Sequence, residues 1–257
     1  MLWAIDIGNT QTVVGIHDGE AWRAHYRFES DSLRTEDEWI ALLKPLLDLH
    51  QLEVRATQVV LASVVPSATT TWKRLADRYL QAEAWELRTG QQVGLEVVYH
   101  PADGVGADRI ANALGGLALA DPPLILVDFG TATTLDAVDL RGAYVGGAIM
   151  TGIEVSMQAL FQRTAKLPMI ELSVAGPVIG KTTTEALQSG LVRGYVGAIE
   201  ALIQAFRTEL GDDARVIATG GLGKKFRDLC PSIESYDEWL TLEGLRVAAS
   251  RWSPGAR

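Results

Sequence analysis

Two aspartates stand where a buried strand would end. Asp6 closes the apolar run Leu-Trp-Ala-Ile and leads into Ile-Gly-Asn-Thr, while Asp128 closes Leu-Ile-Leu-Val and leads into Phe-Gly-Thr-Ala-Thr-Thr. A carboxylate in such a place is costly unless a cation or hydrogen-bond donors meet it. Gly8 and Gly130 remove side chains where backbone must come close to a ligand. Around them lie Asn9, Thr10 and Thr12 in the first turn and Thr131, Thr133 and Thr134 in the second, amides and hydroxyls that can donate to phosphate. A carboxylate in the same turn repels phosphate unless a cation sits between them, so Asp6 and Asp128 read as hard oxygen ligands or as orienters of metal-bound water. Two such turns facing each other across a cleft suit a nucleotide triphosphate with its metal. The alternative is that these threonines only satisfy turn amides.

A third constellation lies in Gly-Val-Gly-Ala-Asp-Arg, where Gly106 and Ala107 bring Asp108 and Arg109 to the start of a helix predicted to run to about Ala120. Asp is favoured at a helix start on structural grounds alone. The neighbouring Arg109 adds a fixed cation whose fork of donors suits a carboxylate or phosphate. An aspartate that keeps its charge beside a substrate hydroxyl is the base a phosphoryl transfer needs, because positioning does most of the work in that reaction. By contrast, Gly180-Lys181-Thr182 imitates a P-loop but fails its spacing, since the first required glycine falls on Ala175 and Gly176 leaves only three residues between. This stretch reads instead as a helix start with a threonine cap and Glu185 in its first turn.

The elements that must position these residues are written twice. Asp128 follows Asp6 by 122 positions, almost half of the 257 residues. Each motif continues into a second strand and then a third, Ala21–Glu29 and Ala143–Met150. Helical periodicity follows at 35–50 and 152–165, then strands at 59–65 and 215–221 lead into helices near 67–80 and 222–230. Both halves thus read βββαβα, an α/β fold of two similar domains meeting at a cleft, assigned to residues 1–120 and 121–257 with the break at Ala-Asp-Pro-Pro. A long helix from 182 to about 210 carries a stripe through Leu187, Leu191, Tyr195, Ile199, Leu202 and Phe206, and its Gly190, Gly194 and Gly197 would let another helix approach.

Composition narrows the function classes. With 32 acidic against 23 basic residues and a formal charge of −9, the chain offers no footprint for nucleic acid or an anionic membrane. One cysteine and four scattered histidines exclude an intrachain disulfide and a thiolate or imidazole metal cluster. The start has no basic segment before an apolar one, and the longest apolar stretch is broken by Asp121, Pro122 and Pro123, so neither a signal peptide nor a bilayer span is expected. A cytoplasmic protein acting on small molecules is the expectation.

The motifs together resemble the type III pantothenate kinases, also called the Baf or CoaX family, within the superfamily of acetate and sugar kinases, Hsp-type chaperones and actin. The resemblance rests on Asp-Ile-Gly-Asn-Thr, Val-Gly-Ala-Asp-Arg at 105–109, Asp-Phe-Gly-Thr-Ala-Thr-Thr at 128–134, Gly-Gly-Ala-Ile at 146–149, Thr-Ala-Lys-Leu-Pro at 164–168, the 180–191 segment and Thr-Gly-Gly-Leu at 219–222. It implies duplicated ribonuclease H-like, actin-like ATPase domains and ATP-dependent phosphorylation of pantothenate to 4'-phosphopantothenate, the first step of coenzyme A synthesis. Residue by residue, it implies an ATP phosphate loop at Asp6, Ile7, Gly8, Asn9, Thr10, Gln11, Thr12 and Val13, with Thr131 as a second nucleotide contact. Asp108 then resembles the catalytic base, and Tyr99, Gly106, Ala107, Asp108 and Arg109 the pantothenate site. Asp128 resembles a monovalent-cation ligand for potassium or ammonium, replacing the divalent role suggested by its turn alone, while Mg2+ accompanies ATP. Thr183 resembles a substrate contact made from the partner subunit of a homodimer.

Two departures are visible: Pro101-Ala102 stands where the family has Asn-Pro, and Thr151-Gly152 where it has Pro-Gly. Another small-molecule kinase of the same fold, or a non-catalytic nucleotide-binding regulator, are the competing readings.

Overall fold

The computed structural model describes residues 1–164, 167–173 and 176–252. Ala165 and Lys166 of the Thr-Ala-Lys-Leu-Pro motif, and Ala175 of the rejected P-loop, lie outside the described residues.

The chain divides into two compact units, Ala120–Trp239 and the remainder. The first contains β1 (Leu2–Ile7), β2 (Gln11–His17), β3 (Trp22–Glu29), α1 (Glu36–Leu49), β4 (Gln58–Ser63), α2 (Pro66–Leu75), β5 (Ala84–Glu86) and α3 (Ala107–Leu119). Its sheet has the order β3-β2-β1-β4-β5, with β1 antiparallel to β2 and parallel to β4. Helices cover both faces of β1, α1 and α2 on one and the chain's later segment Leu240–Arg251 on the other, which is why β1 reads as an apolar run. Trp3, Ile5 and Ile7 point to one face and pack with Trp39, Leu43 and Trp72 from α1 and α2. The Trp39 and Trp72 rings lie 5.0 Å apart. Asp6, one residue out of phase, points to the other face. Thr35 begins α1 with a reciprocal cap: its hydroxyl accepts from the Glu38 amide at 3.3 Å, and the Glu38 carboxylate accepts from the Thr35 amide at 2.8 Å.

The second unit repeats the pattern with β6 (Leu124–Phe129), β7 (Ala132–Val138), β8 (Tyr144–Thr151), α4 (Ile153–Arg163), α5 (Thr183–Gln188), α6 (Gly194–Leu210), β9 (Arg215–Thr219), α7 (Gly223–Arg227) and β10 (Ser235–Tyr236). Its sheet order is β10-β9-β6-β7-β8, the same arrangement strand for strand. Ile125, Val127 and Phe129 pack against Tyr195, Ile199 and Phe226, and the Phe129 and Phe226 rings stack at 5.3 Å. The predicted 182–210 helix is continuous but passes through a π-helical turn at Ser189–Arg193. In its stripe Tyr195 and Ile199 are buried and the other four half-buried, while a Cβ added at Gly190, Gly194 or Gly197 would meet nothing within 4 Å.

The last helix among the described residues, α8 (Leu240–Arg251), departs from the expected division. It belongs to the first unit although it follows the whole of the second. The reason is steric fit to α3. A Cβ on Gly244 would collide with the backbone of Ala111, and one on Gly115 with the backbone of Leu240 and Gly244. The two helices therefore cross backbone to backbone, and the Thr241 hydroxyl donates to Asn112 Oδ1 at 2.7 Å within that contact. α8 also packs on β1 and β4.

Candidate functional site

In the first unit the turn between β1 and β2 is closed from within. The Gly8 amide donates to the Gln11 carbonyl at 2.9 Å, and a Cβ on Gly8 would lie 3.1 Å from that same oxygen. Ser30, just past β3, ties the turn down three ways: its amide donates to the Thr10 carbonyl at 2.8 Å, its hydroxyl donates to the Gly8 carbonyl at 2.6 Å, and its Oγ lies 2.8 Å from the Thr12 hydroxyl. Since the Ser30 proton goes to Gly8, Thr12 is the donor in that last bond. Ile7 and Thr12 are buried anchors, Asp6, Gly8 and Val13 are half-buried, and Asn9, Thr10 and Gln11 are exposed. The arrangement ties down a turn whose exposed side chains are two amides and a hydroxyl, with the Asp6 carboxylate half-buried beside them. Motif comparison passes over Ser30; its only signal is a small hydroxyl residue directly after the third strand.

The same unit carries Asp108 and Arg109 in the first turn of α3. Gly106 accepts from the amides of Arg109 and Ile110, both at 3.1 Å, and so starts the helix. Asp108 is the second helical residue rather than the cap, and its Oδ1 accepts from the Arg109 amide at 2.9 Å. A Cβ on Gly106 would collide with that carboxylate, so glycine there is a condition of the Asp108 rotamer. Ala107 and Arg109 are buried, Asp108 half-buried. Half-buried Tyr99 lies 3.8 Å from the position a Gly104 Cβ would take, against the short 3-10 turn Ala102–Gly104 that precedes Gly106. Pro101 and Ala102, the first departure from the family pattern, are both exposed.

In the second unit the turn between β6 and β7 is one residue tighter, with the Gly130 amide donating to the Ala132 carbonyl at 3.1 Å. Two other glycines press against it. Gly152 donates its amide to the Thr131 carbonyl at 3.1 Å, and a Cβ there would strike the Gly130 and Thr131 carbonyls. Gly220 has φ +87°, and a Cβ there would strike Asp128 Oδ1 and lie 2.7 Å from the Phe129 amide and carbonyl. The Thr-Gly-Gly-Leu turn is thus built to leave room for the Asp128 carboxylate. Thr131 is exposed and Asp128 half-buried. Thr151, the second departure, is the exposed last residue of β8, and the contact made by Gly152 is kept.

Thr183 is the exposed first residue of α5. Thr182 caps that helix: its hydroxyl accepts from the Glu185 amide at 3.2 Å, and the Glu185 carboxylate accepts from the Thr182 and Lys181 amides at 3.1 and 2.7 Å. Lys181 thereby belongs to a capping turn, as its spacing predicts. Among the described residues no three His, Cys, Asp or Glu side chains converge as a metal site. Magnesium needs no such cage, because it keeps several waters and is held by one or two carboxylates plus the substrate's own phosphates.

The comparisons with known proteins decide the family. The model of the type III pantothenate kinase family matches residues 2–205. The chain belongs to the type III pantothenate kinase family. A type III pantothenate kinase from Myxococcus xanthus is 40% identical over 252 residues, spanning 98% of both chains. One from Anaeromyxobacter sp. (strain Fw109-5) is 42% identical over 98% of this chain and 99% of its own length. A solved structure of a conserved Baf family protein from Campylobacter jejuni shares the fold with a TM-score of 0.61, covering 96% of this chain and 97% of its own, at 18% identity. The enzyme is therefore an ATP-using kinase with an alcohol acceptor, built on duplicated ribonuclease H-like domains. Among its described residues no helix is long and apolar enough to cross a membrane.

Proposed function

We propose that this kinase transfers the γ-phosphoryl group of ATP to the primary hydroxyl of pantothenate with Asp108 as general base and Arg109 as the carboxylate clamp. The observation that carries the reading is the start of α3. Gly106 leaves room for the Asp108 carboxylate, whose Oδ1 is held by the Arg109 amide while the guanidinium of Arg109 lies in a buried side chain. A hydroxyl has to lose its proton as its oxygen attacks phosphorus, and a carboxylate within hydrogen-bond reach accepts it. Arg109 pairs with the acid end of pantothenate and fixes which hydroxyl faces Asp108. Gly106, Ala107 and Tyr99 shape the rest of that pocket.

The turn Asp6–Val13 receives the phosphates of ATP through its amides and hydroxyls, and Thr131 adds a contact from the second turn. Bound Mg2+ supplies charge neutralisation on the phosphates. Asp6 would hold it, directly or through a bound water. Asp128 would hold the monovalent cation, potassium or ammonium; Gly220, where any Cβ would strike Oδ1, leaves the room that this carboxylate needs.

The active form is a homodimer in which Thr183 contacts pantothenate bound to the partner. Its support is the apolar surface between β8 and α5, where Ile149, Val155, Leu160, Phe161, Met169, Val178 and Ile179 are all exposed and α4 buries only Ile153. Large apolar side chains exposed along one stretch of chain fit an interaction surface. The enzyme works in the cytoplasm, to which a single buried thiol is suited.

The test is ADP release by purified protein with ATP, magnesium and pantothenate, with and without potassium. Asp108→Asn is expected to lower kcat by about 10²–10⁴-fold, the usual loss for a general base. Full activity in that variant would remove Asp108 from the mechanism, and turnover with a sugar but not with pantothenate would overturn the substrate.

A further inference from the structure

The two phosphate turns are flanked by equivalent strands, and two pairs of positions beside the aspartates differ in a way that the repeat does not account for. Asp6 faces Val13 across the β1–β2 ladder, and Asp128 faces Thr134 across the β6–β7 ladder. Two residues further along the same face stand Gly15 in the first unit and Asp136 in the second. The first unit is apolar there: a Cβ on Gly15 would meet the Trp22 ring and Leu242. In the second unit Asp136 is fully buried, its Oδ1 accepting from the equally buried Tyr144 hydroxyl at 2.8 Å and its Oδ2 accepting from the Thr134 hydroxyl at 3.1 Å.

A buried carboxylate holding two hydroxyl donors fixes where their protons point. Thr134 has one proton, and it is committed to Asp136. Its oxygen is left with lone pairs only, directly across the ladder from Asp128 and on the same face of the sheet. An oxygen that cannot donate is matched to a cation and mismatched to phosphate.

We infer that Asp136 is a positioning residue: it makes the Thr134 hydroxyl an obligate acceptor, so that Thr134 joins Asp128 as an oxygen ligand of the monovalent cation. This explains why one turn of the repeat serves that cation and the other does not, since Val13 gives Asp6 no second oxygen. The inference rests on the reading of Asp128 as the monovalent-cation ligand.

The experiment titrates the melting temperature of the full-length protein with potassium chloride at constant ionic strength made up with tetramethylammonium chloride, in the presence of an unreactive ATP analogue. Half-saturating potassium is measured in parallel from ADP release. Wild type is expected to be stabilised by potassium. Asp136→Asn and Thr134→Val are each expected to raise the half-saturating concentration about tenfold, the double variant no further than either alone, and Thr134→Ser to keep the wild-type value. A purely structural role predicts a lower starting melting temperature in Asp136→Asn with an unchanged potassium midpoint, and that result overturns the inference while leaving Asp128 in place. If wild type itself shows no potassium response, the cation reading of Asp128 falls and takes this inference with it. Should Asp136→Asn not fold, the contrast between Thr134→Val and Thr134→Ser decides alone, equal midpoints counting against it.

Discussion

Gly244→Ala tests whether the crossing of α8 and α3 is what holds Asp108 in place. The added Cβ would lie 2.9 Å from Ala111 Cα and closer still to the carbonyl of that residue. Non-bonded heavy atoms rest at about 3.5 Å, and the Ala111 carbonyl oxygen would stand at about half that distance, so the helices must part by at least about 1 Å. Backbone cannot rotate away as a side chain can, which puts the strain at the upper end of the ~1–3 kcal/mol seen for overpacked cores. Alanine returns about 1 kcal/mol through its better helix propensity. The net expectation is a loss of about 2 kcal/mol, or about 4–8 °C in melting temperature at ~2–4 °C per kcal/mol for a chain of this size. Because α3 starts with Asp108 and Arg109, displacement of about 1 Å should also lower kcat, by up to ~10²-fold. Thermal melts and ADP release on the same preparation measure both. Gly197→Ala is the control with the opposite sign: its Cβ meets nothing within 4 Å, and a gain of about 0.5–1 kcal/mol is expected. A Gly244→Ala protein that melts at or above wild type would refute the tight crossing and the role given to it.

Ser30→Ala leaves the Gly8 carbonyl and the Thr12 hydroxyl without their shared partner; a loss of about 1–3 kcal/mol and a higher KM for ATP are expected, with kcat for saturating ATP nearly kept. Burial, with the charge of Arg246 added to it and Asp18 and Glu243 opposing, holds the His17 pKa below its ordinary 6.5. Protonation would also break the 3.0 Å bond that Nδ1 accepts from the Gly19 amide. The unfolded chain therefore binds the proton first, so the contribution of His17 is present above pH 6.5 and is lost as pH falls through the folded value. Urea unfolding at pH 7.5 and 5.5 should show this slope in wild type and a flatter one in His17→Asn. Cys230 is fully buried, and burial, aided by Glu200, pushes its thiol up to about 12. Alkylation at neutral pH should then proceed only as fast as the second unit opens; rapid labelling of the native protein would contradict that burial.

The repeated turns were legible because their constraints are local: a glycine where backbone approaches, hydroxyls around it, and an apolar run before it. The helix starts at Thr35 and Thr182 were legible for the same reason, since a capping box is spelled within four residues. The edge strands β5 and β10 escaped because three- and two-residue segments carry no period. α8 was missed because nothing in Leu240–Arg251 says which partner it covers; its small residues become informative only once Ala111 is seen beneath Gly244. Ser30 and Asp136 fall in the same class. Ser30 reaches the first turn from 22 positions away, and Asp136, though it bonds Thr134 on its own strand, gains meaning only once Asp128 is seen opposite Thr134 across the ladder.

The late position of α8 also sets an order of events on the ribosome. The helix that begins with Asp108 is synthesised before the second unit, yet the helix it packs against is made only after that whole unit has emerged. At ~5–20 residues per second, the nascent chain waits on the order of ten seconds with the α3 face uncovered. Through that interval the second unit can fold on continuous sequence while the first cannot be completed. The helix that begins with Asp108 is thus secured only by a segment made after the second unit is complete.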